Sequence, residues 1–391
     1  MDFQDLKDKI GKFVKEELYS LEPWIYTSEW GEKLPKLNEL RQKVKKMGLW
    51  LPQISTDYGG IGLSLEEHGE ISEILGGSPY GFYVFNCQAP DAGNMEILIE
   101  VGTSQQKKDY LKPLLEGKTR SCFAMTEPGY AGSNPVRMGT VAKKENGNYI
   151  INGHKWFTSS FDGADFAIVM VVTDPEEENP YKRASQIIVP INSEGVEFVR
   201  NISIMGHPGG GWESHAEIKF KNVIVPESNI LGYEGDGFAI AQKRLGPGRI
   251  HHCMRLIGVA QRALELMCKR ANQREAFGRN LIKFTSIRQD IAKSECEIQQ
   301  ARLLTLATAD KIDKFGAKEA KNLIAMIKIQ VPQMACNVVD RAIQIHGGMG
   351  VSQDTPLAGY YAMARVLRLA DGPDEVHMFQ LGRNLAKQYE I

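Results

Sequence analysis

The feature that most constrains the fold of this chain is a change of hydrophobic period along it. Residues 1–120 repeat apolar side chains at helical spacing, for example at Leu6 and Ile10. Residues 121–235 instead read as short β-prone runs separated by turn residues, and residues 236–391 return to the helical period. We therefore predict an α+β architecture with an N-terminal helical domain, a middle antiparallel β domain and a C-terminal four-helix bundle.

Local signals place individual elements in the first two zones. Ser64-Leu-Glu-Glu67 is a capping box, which predicts a helix that begins just after Ser64. Asn146-Gly147 and Asn152-Gly153 each lie between β-prone runs, which is the pattern of a hairpin turn. A further helix is predicted at about 104–115, and further strands at 166–173, 186–191, 196–200, 215–220 and 222–225.

The last zone contains long periodic segments with short connections, which is the pattern of a helix bundle. Their amphipathic spacing means that each segment needs a partner surface for its apolar face. The predicted helices lie at about 236–272, 285–314, 317–346 and 374–388.

Composition excludes several classes of function. A net charge of -1 gives no basic surface for nucleic acid or for an anionic membrane. The longest apolar runs, such as 166–172, are too short to cross a bilayer, and the first residues lack the apolar core of a signal peptide. The cysteines are scattered without a CxxC pair, and no His/Cys cluster has metal-ligand spacing. We expect a cytoplasmic protein with reduced thiols and without metal, or an organelle-matrix protein if a presequence was removed.

Two glycine-containing motifs in the last zone each allow a structural and a functional interpretation. Asp371-Gly-Pro-Asp-Glu375 fits a helix start with Pro373 at the first helical position, yet it also presents an acid at a turn. Gln344-Ile-His-Gly-Gly-Met-Gly350 fits a helix end capped by glycine. The same glycines would also permit a large ligand to approach the backbone closely.

Other motifs are equally open when they are taken singly. Thr126-Glu-Pro-Gly129 is either a turn entering the β domain or part of a site, and Lys155-Trp-Phe-Thr-Ser159 is either a core strand or an aromatic wall. Arg274 is either a solvated surface charge or a phosphate ligand. Gly246-Pro-Gly-Arg249 combines a helix breaker with one arginine, for which a helix cap is the structural interpretation.

Taken in order, these motifs resemble those of the acyl-CoA dehydrogenases over essentially the whole chain. The resemblance is carried by Phe123–Gly129, Lys155–Ser159, Asn222–Pro226, Arg274–Gly278 and Gln344–Gly348. Three further stretches are similar to the branch formed by family members 10 and 11, whose animal members carry a kinase-like domain ahead of the dehydrogenase. Those stretches are Phe85–Asp91, Leu245–Arg255 and Arg368–His377.

The resemblance implies FAD bound between the β domain and the C-terminal bundle and completed by a neighbouring subunit, hence a homotetramer or at least a dimer. The residues implied to contact the flavin end are Phe123, Met125, Thr126, Ser133, Phe157, Thr158 and Ser159. Those implied to reach the diphosphate and adenosine of the adjacent subunit's FAD are Arg274, Phe277, Gln344, Gly347 and Gly348, and Pro373 and Glu375 are further implied cofactor contacts. The implied acyl-CoA contacts are Ser133, Arg249, Ala370 and Gly372.

The resemblance also implies a reaction. Asp371 would take the α-proton of an acyl-CoA thioester while hydride passes from the β-carbon to flavin, which gives a trans-2-enoyl-CoA in fatty acid β-oxidation. An electron-transfer flavoprotein would accept the electrons. Most family members carry glutamate where this chain has Asp371, so its shorter reach must be recovered by backbone placement. Alternatives are an acyl-CoA oxidase of the same fold, or a flavin-bearing binding or regulatory protein.

Overall fold

The structure is a computed structural model that describes residues 2–389, apart from the side chains of residues 245–247. Two compact units divide the chain. We call Met1–Ser28, Lys36–Phe85 and Gly246–Ile391 the helical unit, and Glu29–Pro35 and Asn86–Leu245 the sheet unit. Among the described residues, no helix is both long and apolar enough to cross a membrane.

The longer helices are numbered in chain order. They are α1 (Phe3–Phe13), α2 (Trp30–Lys46), α3 (Leu65–Gly76), α4 (Asp91–Val101), α5 (Gly237–Gln273), α6 (Thr285–Phe315), α7 (Lys321–His346), α8 (Leu357–Val366) and α9 (Asp374–Ala386). Short helical turns include Glu22–Ile25, Gly81–Val84, Ser104–Gln106 and Lys112–Leu115, the last two joined by a π-helical turn at Lys107–Leu111.

The strands are numbered in the same way. They are β1 (Ser121–Ala124), β2 (Val141–Glu145), β3 (Asn148–Ser159), β4 (Phe166–Val172), β5 (Ala184–Pro190), β6 (Val196–Asn201), β7 (His215–Pro226), β8 (Ile230–Leu231), β9 (Glu275–Ala276) and β10 (Arg279–Asn280).

The N-terminal helices follow the predicted pattern. Leu6, Ile10 and Phe13 are the buried side chains of α1, at helical spacing. Ser64 caps α3, because its hydroxyl accepts from the Glu67 amide at 3.1 Å while the Glu67 carboxylate accepts from the Ser64 amide at 2.9 Å. The reciprocal bonds satisfy two amides that a helix start would otherwise leave without partners. Both helix predictions are confirmed.

The C-terminal helices α5, α6, α7 and α9 confirm the four predicted segments. Helix α8 is an additional helix that the periodicity does not predict, because it is only ten residues long. Leu357, Tyr360 and Ala364 are its buried residues and join the apolar core of the helical unit. Tyr360 also donates its hydroxyl to the Gly77 carbonyl at 2.8 Å.

The strands of the sheet unit form one sheet in the order β6-β7-β3-β2-β4-β5-β8, and β1 pairs with β4. Most neighbours are antiparallel, as predicted. Two pairings are parallel, namely β1 with β4 and the single contact of β2 with β4. The parallel pairing holds the end of β1 beside the buried strand β4. The residues that follow Ala124 therefore begin at a fixed position in the sheet.

One of the two hairpin predictions is confirmed and the other is wrong. Asn146 and Gly147 have positive φ values of 49° and 76° and join β2 to β3, as a two-residue hairpin turn requires. Asn152-Gly153 instead lies inside β3, at a register shift against β7. A Cβ on Gly153 would come within 2.3 Å of the Thr140 hydroxyl, so glycine here serves close packing at a bulge.

The predicted strands 215–220 and 222–225 are likewise one strand, β7. Asn222 adopts a positive φ of 51°, which interrupts the regular strand conformation locally. The strand nevertheless continues on both sides of it. Its amide donates to the Asn152 side-chain oxygen at 2.9 Å, and the Asn152 side chain donates to Asn222 at 3.0 Å. The two asparagines therefore bridge the irregularity in both strands.

Candidate functional site

The backbone of Asp371 is left-handed, with a φ of 56°, and Gly372 follows at 99°. Aspartate tolerates this region better than most residues, although it is uncommon outside glycine. Pro373 is the N-cap of α9 rather than its first residue, and Asp374 and Glu375 form the first turn. Asp371 therefore stands just outside the helix.

Two side chains hold the Asp371 carbonyl. Arg249 Nε donates to it at 3.3 Å, and His377 Nε2 lies at the same distance. Since a carbonyl only accepts, His377 carries its proton on Nε2 in this contact. A Cβ on Gly372 would lie 2.9 Å from His377 Nε2, so glycine is required here both for its φ and for space.

The Asp371 carboxylate faces α5. Its Oδ2 lies 3.0 Å from His252 Nε2, and a Cβ on Gly248 would be in ordinary contact with it at 3.8 Å. Gly248, His252 and Arg255 occupy one helix face at the i, i+4 and i+7 positions. The Asp371 side chain is 21% exposed and that of His252 is 16% exposed, so both are mostly buried but not fully enclosed.

The groups around Asp371 are mostly basic, and burial lowers their pKa values. Burial lowers the pKa of Arg255 to about 10, against the opposing attraction of Asp371. Burial also lowers the pKa of His252 to about 4, although Asp371 favours its charged form. His377 has its pKa lowered to about 4 by burial and by Arg249. Both histidines are therefore neutral near pH 7.

Lys328 anchors the segment that leads to Asp371, and no sequence motif points to it. Its ammonium donates to the carbonyls of Leu367 and Ala370 at 2.8 Å each, and the residue is only 1% exposed. Burial lowers its pKa. The available signal is a lysine between isoleucines in the apolar helix α7, but a single sequence does not tell what it bonds.

Asp374 and Glu375 are the acidic residues nearest to Asp371 in the sequence, but their surroundings differ from those of Asp371. Asp374 is buried, and its Oδ2 accepts from Arg368 Nε at 2.7 Å. Glu375 is exposed in the first turn of α9. Asp371 is therefore the acid of this segment that meets a histidine on α5.

In the sheet unit, the end of β1 with the residues that follow it and the last five residues of β3 form what we call the strand junction, Phe123–Glu127 with Lys155–Ser159. Thr126 Oγ1 donates to the Trp156 carbonyl at 2.7 Å, and the Trp156 amide donates to the Thr126 carbonyl at 3.0 Å. Two segments that the sequence separates by about thirty residues are thereby joined by reciprocal bonds.

A buried lysine completes the strand junction. Lys155 Nζ donates to the Met125 carbonyl at 2.9 Å and to Glu127 Oε1 at 2.8 Å. Burial lowers the Lys155 pKa to about 8, although Glu127 favours the charged form. Burial alone would raise the Glu127 pKa, but Lys155 and bonds from Gly139 and Thr140 leave it lowered. The pair closes the base of the loop between residues 127 and 139.

The strand junction presents an aromatic wall. Phe157 has a positive φ of 48° and is 44% exposed, and its ring lies 4.9 Å from that of Trp156. Thr158 is fully buried, and among the described residues its hydroxyl has no hydrogen-bond partner. Ser159 Oγ lies 2.8 Å from His215 Nδ1. The Arg244 guanidinium covers the Phe123 ring at 4.2 Å.

A shallow open depression adjoins the strand junction, and its cavity volume of about 10 Å³ has room for about one water molecule. Its wall includes Met125, Thr126, Tyr130, Gly132 and Arg137. Tyr130 is exposed and contributes to this wall. Ser133 is exposed and is not part of this wall.

The remaining predicted cofactor residues lie on exposed parts of the helical unit. Phe277 is 97% exposed at the tip of the β9–β10 hairpin, with a φ of 51°, and Arg274 is exposed at its base. Gln344, Gly347 and Gly348 are exposed where α7 ends. A Cβ on Gly347 or Gly348 would meet nothing within 4 Å. Gly347 has a positive φ, which accounts for glycine at that position, whereas no contact with a residue that the structure describes requires glycine at 348.

Sequence profiles of the acyl-CoA dehydrogenase domains match nearly the whole chain in chain order. The N-terminal domain profile matches residues 2–118, the middle domain profile 122–223 and the C-terminal domain profile 235–386. The chain belongs to the acyl-CoA dehydrogenase family. The resemblance suggested by the motifs is thereby confirmed, as is the helical, β-sheet and helical order of the acyl-CoA dehydrogenase fold.

Individual relatives agree with this assignment. Acyl-CoA dehydrogenase family member 10 of Mus musculus is 46% identical over 97% of this chain, and family member 11 of Gallus gallus is 45% identical over 97%. The chain spans only 36% and 50% of those two proteins. A solved structure of a Mycobacterium abscessus protein assigned as an acyl-CoA dehydrogenase is 39% identical, with a TM-score of 0.94 over 99% of this chain and 98% of the other.

Proposed function

We propose that this chain uses FAD to dehydrogenate an acyl-CoA thioester between its α and β carbons, with Asp371 as the base. The observation that carries the proposal is the Asp371 carboxylate, which is partly exposed and is bonded to a histidine within basic surroundings. Its backbone is held from both α5 and α9 in a left-handed conformation. Such placement is the means by which a short side chain gains the reach that the family usually obtains from glutamate.

Removing an α-proton demands more than a carboxylate. The α-proton of a thioester is very weakly acidic, so negative charge that develops on the thioester oxygen must be stabilised as it forms. Around Asp371, Arg249 and Lys328 supply positive charge, and the neutral His252 supplies a donor to the carboxylate. The task of Asp371 is to accept the proton at a fixed angle, while the surrounding side chains keep its orientation.

The strand junction fits the flavin that the proposal requires. Two features suit a planar ligand with polar edges: the exposed aromatic ring of Phe157, and the buried Thr158 hydroxyl, which lacks a hydrogen-bond partner among the residues that the structure describes. We propose that Phe123, Met125, Thr126 and Phe157–Ser159 hold its ring. Bound FAD supplies the acceptor for the hydride that leaves the β-carbon. The exposed residues Arg274, Phe277, Gln344, Gly347 and Gly348 are proposed contacts to the FAD of a neighbouring subunit.

Several further features belong to the same proposal. The product is a trans-2-enoyl-CoA, and the electrons pass to an electron-transfer flavoprotein. The protein is a homotetramer or dimer, because the apolar Phe277 and Phe379 side chains are exposed on a single chain. A role in fatty acid β-oxidation and a cytoplasmic location complete the proposal.

Anaerobic flavin bleaching tests the proposal directly. The purified, FAD-loaded protein is mixed with butyryl-CoA, octanoyl-CoA and palmitoyl-CoA in separate stopped-flow runs, and the flavin absorbance is followed. Bleaching by at least one thioester, with formation of the matching enoyl-CoA, supports the assignment. Failure to retain FAD, or retention without bleaching by any acyl-CoA, overturns it. Rapid turnover with oxygen as sole acceptor would indicate an oxidase instead.

A further inference from the structure

The side chain that meets the Asp371 carboxylate is itself held by a second group. His252 Nε2 lies 3.0 Å from Asp371 Oδ2, and on the other edge of the imidazole, Nδ1 lies 3.0 Å from Arg255 Nη2. Helix α5 supplies both residues, three positions apart on one face. Arginine, histidine and aspartate thus form one continuous row.

The donors and acceptors of this row fix where the imidazole proton lies. A guanidinium has only donors, so Nδ1 of His252 must accept from Arg255. The single proton of the neutral ring is then on Nε2, where it is donated to the carboxylate. Since burial keeps the His252 pKa at about 4, this neutral tautomer persists at the pH values at which the enzyme would work.

We propose that His252 is a positioning residue for the base, which orients the Asp371 carboxylate through Nε2–H, and that Arg255 holds His252 in the required tautomer. This inference rests on the proposed function, because it gives His252 a role only if Asp371 accepts the α-proton. Arg249 and His377 hold the Asp371 backbone, whereas His252 holds the end of its side chain. Asp371 is therefore held both at its backbone and at the end of its side chain.

The chemistry has a use for this second constraint. An aspartate side chain rotates about two bonds, and a small misplacement of a reacting group costs a large factor in rate. A hydrogen bond to the charged carboxylate also favours that form, which keeps the base ionised. His252 thus serves both the angle and the charge state of Asp371.

Four variants separate these effects by reach and polarity. His252→Leu removes the donor, whereas His252→Gln places an amide N–H near the position of Nε2. His252→Asn is equally polar but reaches only the position of Nδ1, so it cannot meet Asp371. His154→Leu is the matched control, because His154 also bonds a carboxylate, Glu217, at 2.9 Å, but on strand β3.

Flavin reduction is measured anaerobically from pH 5 to 9 with the thioester that bleaches the wild-type flavin fastest. We expect His252→Leu and His252→Asn to reduce flavin about tenfold to a hundredfold more slowly. The acid limb of their pH profile should move up by about one unit, because the carboxylate has lost a donor. His252→Gln should recover most of the rate and the original limb, and His154→Leu should leave both unchanged.

The outcomes distinguish this inference from the proposed function. If Asp371→Asn reduces flavin at the wild-type rate, the base is elsewhere, and the assignment of Asp371 within the proposed function fails together with this inference. If Asp371→Asn is inactive but His252→Leu keeps the wild-type rate and acid limb, only the positioning inference is overturned. Should His252→Leu not fold, the Asn and Gln pair decides, because equal rates in those two variants contradict a requirement for reach.

Discussion

Two buried lysines, one in each unit, anchor the segments that carry the candidate functional residues, but their partners differ. Lys155 in the sheet unit donates to the Met125 carbonyl and to the Glu127 carboxylate. Lys328 in the helical unit donates to two carbonyls, those of Leu367 and Ala370. The first charge is cancelled by a neighbouring acid, whereas the second is not cancelled by its hydrogen-bond acceptors.

This difference matches what each segment is proposed to hold. A neutral lysine–glutamate pair beneath the strand junction fixes loop shape without a net field, which suits an uncharged aromatic ring system. At Lys328 the positive charge acts on Asp371, whose carboxylate it favours. A buried lysine bonded to backbone carbonyls therefore has different roles in the two units. Lys155 fixes the conformation of its loop, whereas Lys328 fixes the conformation of its segment and also places positive charge near Asp371.

The largest expected effect tests the assignment of the carboxylate itself. Asp371→Asn should bind FAD and acyl-CoA but reduce flavin about a hundredfold to ten-thousandfold more slowly, which is the usual contribution of a general base. Stopped-flow bleaching measures this rate. Glu375→Gln is the comparison variant, measured at saturating FAD because Glu375 is an implied cofactor contact. Glu375 is exposed in the first turn of α9, and its variant should keep close to the wild-type rate of flavin reduction. The reverse ranking would move the base to Glu375.

The next effect should appear in the stability of the sheet unit. Lys155→Met leaves the Glu127 carboxylate buried without its ammonium partner, which should lower the free energy of unfolding by about 3–5 kcal/mol. Chemical denaturation followed by fluorescence measures this loss. Adding Glu127→Gln should restore part of it, because the uncompensated charge is then gone. A double variant no more stable than Lys155→Met would contradict the proposed charge cancellation.

A loss of similar size is expected for Lys328→Met. Two buried carbonyls then lack a donor, at about 1–3 kcal/mol for each unsatisfied group, or about 2–6 kcal/mol together. Here catalysis should suffer as well, because the segment before Asp371 loosens. Flavin content should stay at the wild-type level, whereas Lys155→Met should lower it. Equal effects of the two variants on flavin content would remove the distinction between the two lysines.

A further expected effect is a pH dependence of stability. Burial lowers the pKa values of His252, His377 and His215 to about 4, and it also lowers those of His68 and His346. The unfolded chain binds these protons near pH 6.5, so stability is present above that pH and is lost as pH falls toward 4. Each histidine contributes up to about 1.4 kcal/mol per pH unit in that window.

Only one of these five histidines, His215, lies in the sheet unit. Hydrogen exchange between pH 6.5 and 5 should therefore show the helical unit losing protection before the sheet unit does. A uniform loss, or none, would contradict the histidine account.

Much of the fold could be predicted because its signals are local. Apolar spacing predicts α1, the capping box predicts the start of α3, and Asn146-Gly147 predicts a hairpin. Asn152-Gly153 is the same dipeptide, but its glycine is required by close packing against Thr140, which is thirteen positions away and therefore outside any local pattern. Helix α8 was too short for its period to be distinctive.

The site was predictable to a lesser degree, for the same reason. Resemblance to the family points to Asp371, yet its left-handed backbone depends on Arg249 and His377, and the bond to His252 joins residues 119 positions apart. Lys328 makes its contacts with residues distant in the sequence, and Arg255 is linked to Asp371 by hydrogen bonds through His252. Neither residue lies in a motif that would single it out from the sequence. Residues that touch a ligand can be recognised from sequence patterns, whereas residues that orient them become visible only in three dimensions.

The pairing of Asp371 with Gly372 has a chemical consequence for any experiment on the base. The Asp371→Asn variant places an asparagine directly before glycine, where the unhindered glycine nitrogen can attack the side-chain amide carbon, expel ammonia and close a succinimide. Hydrolysis of that ring gives aspartate together with isoaspartate. An aged preparation of the variant would therefore regain some aspartate at position 371, the proposed base. Residual turnover should be followed against storage time and intact mass before it is credited to another residue.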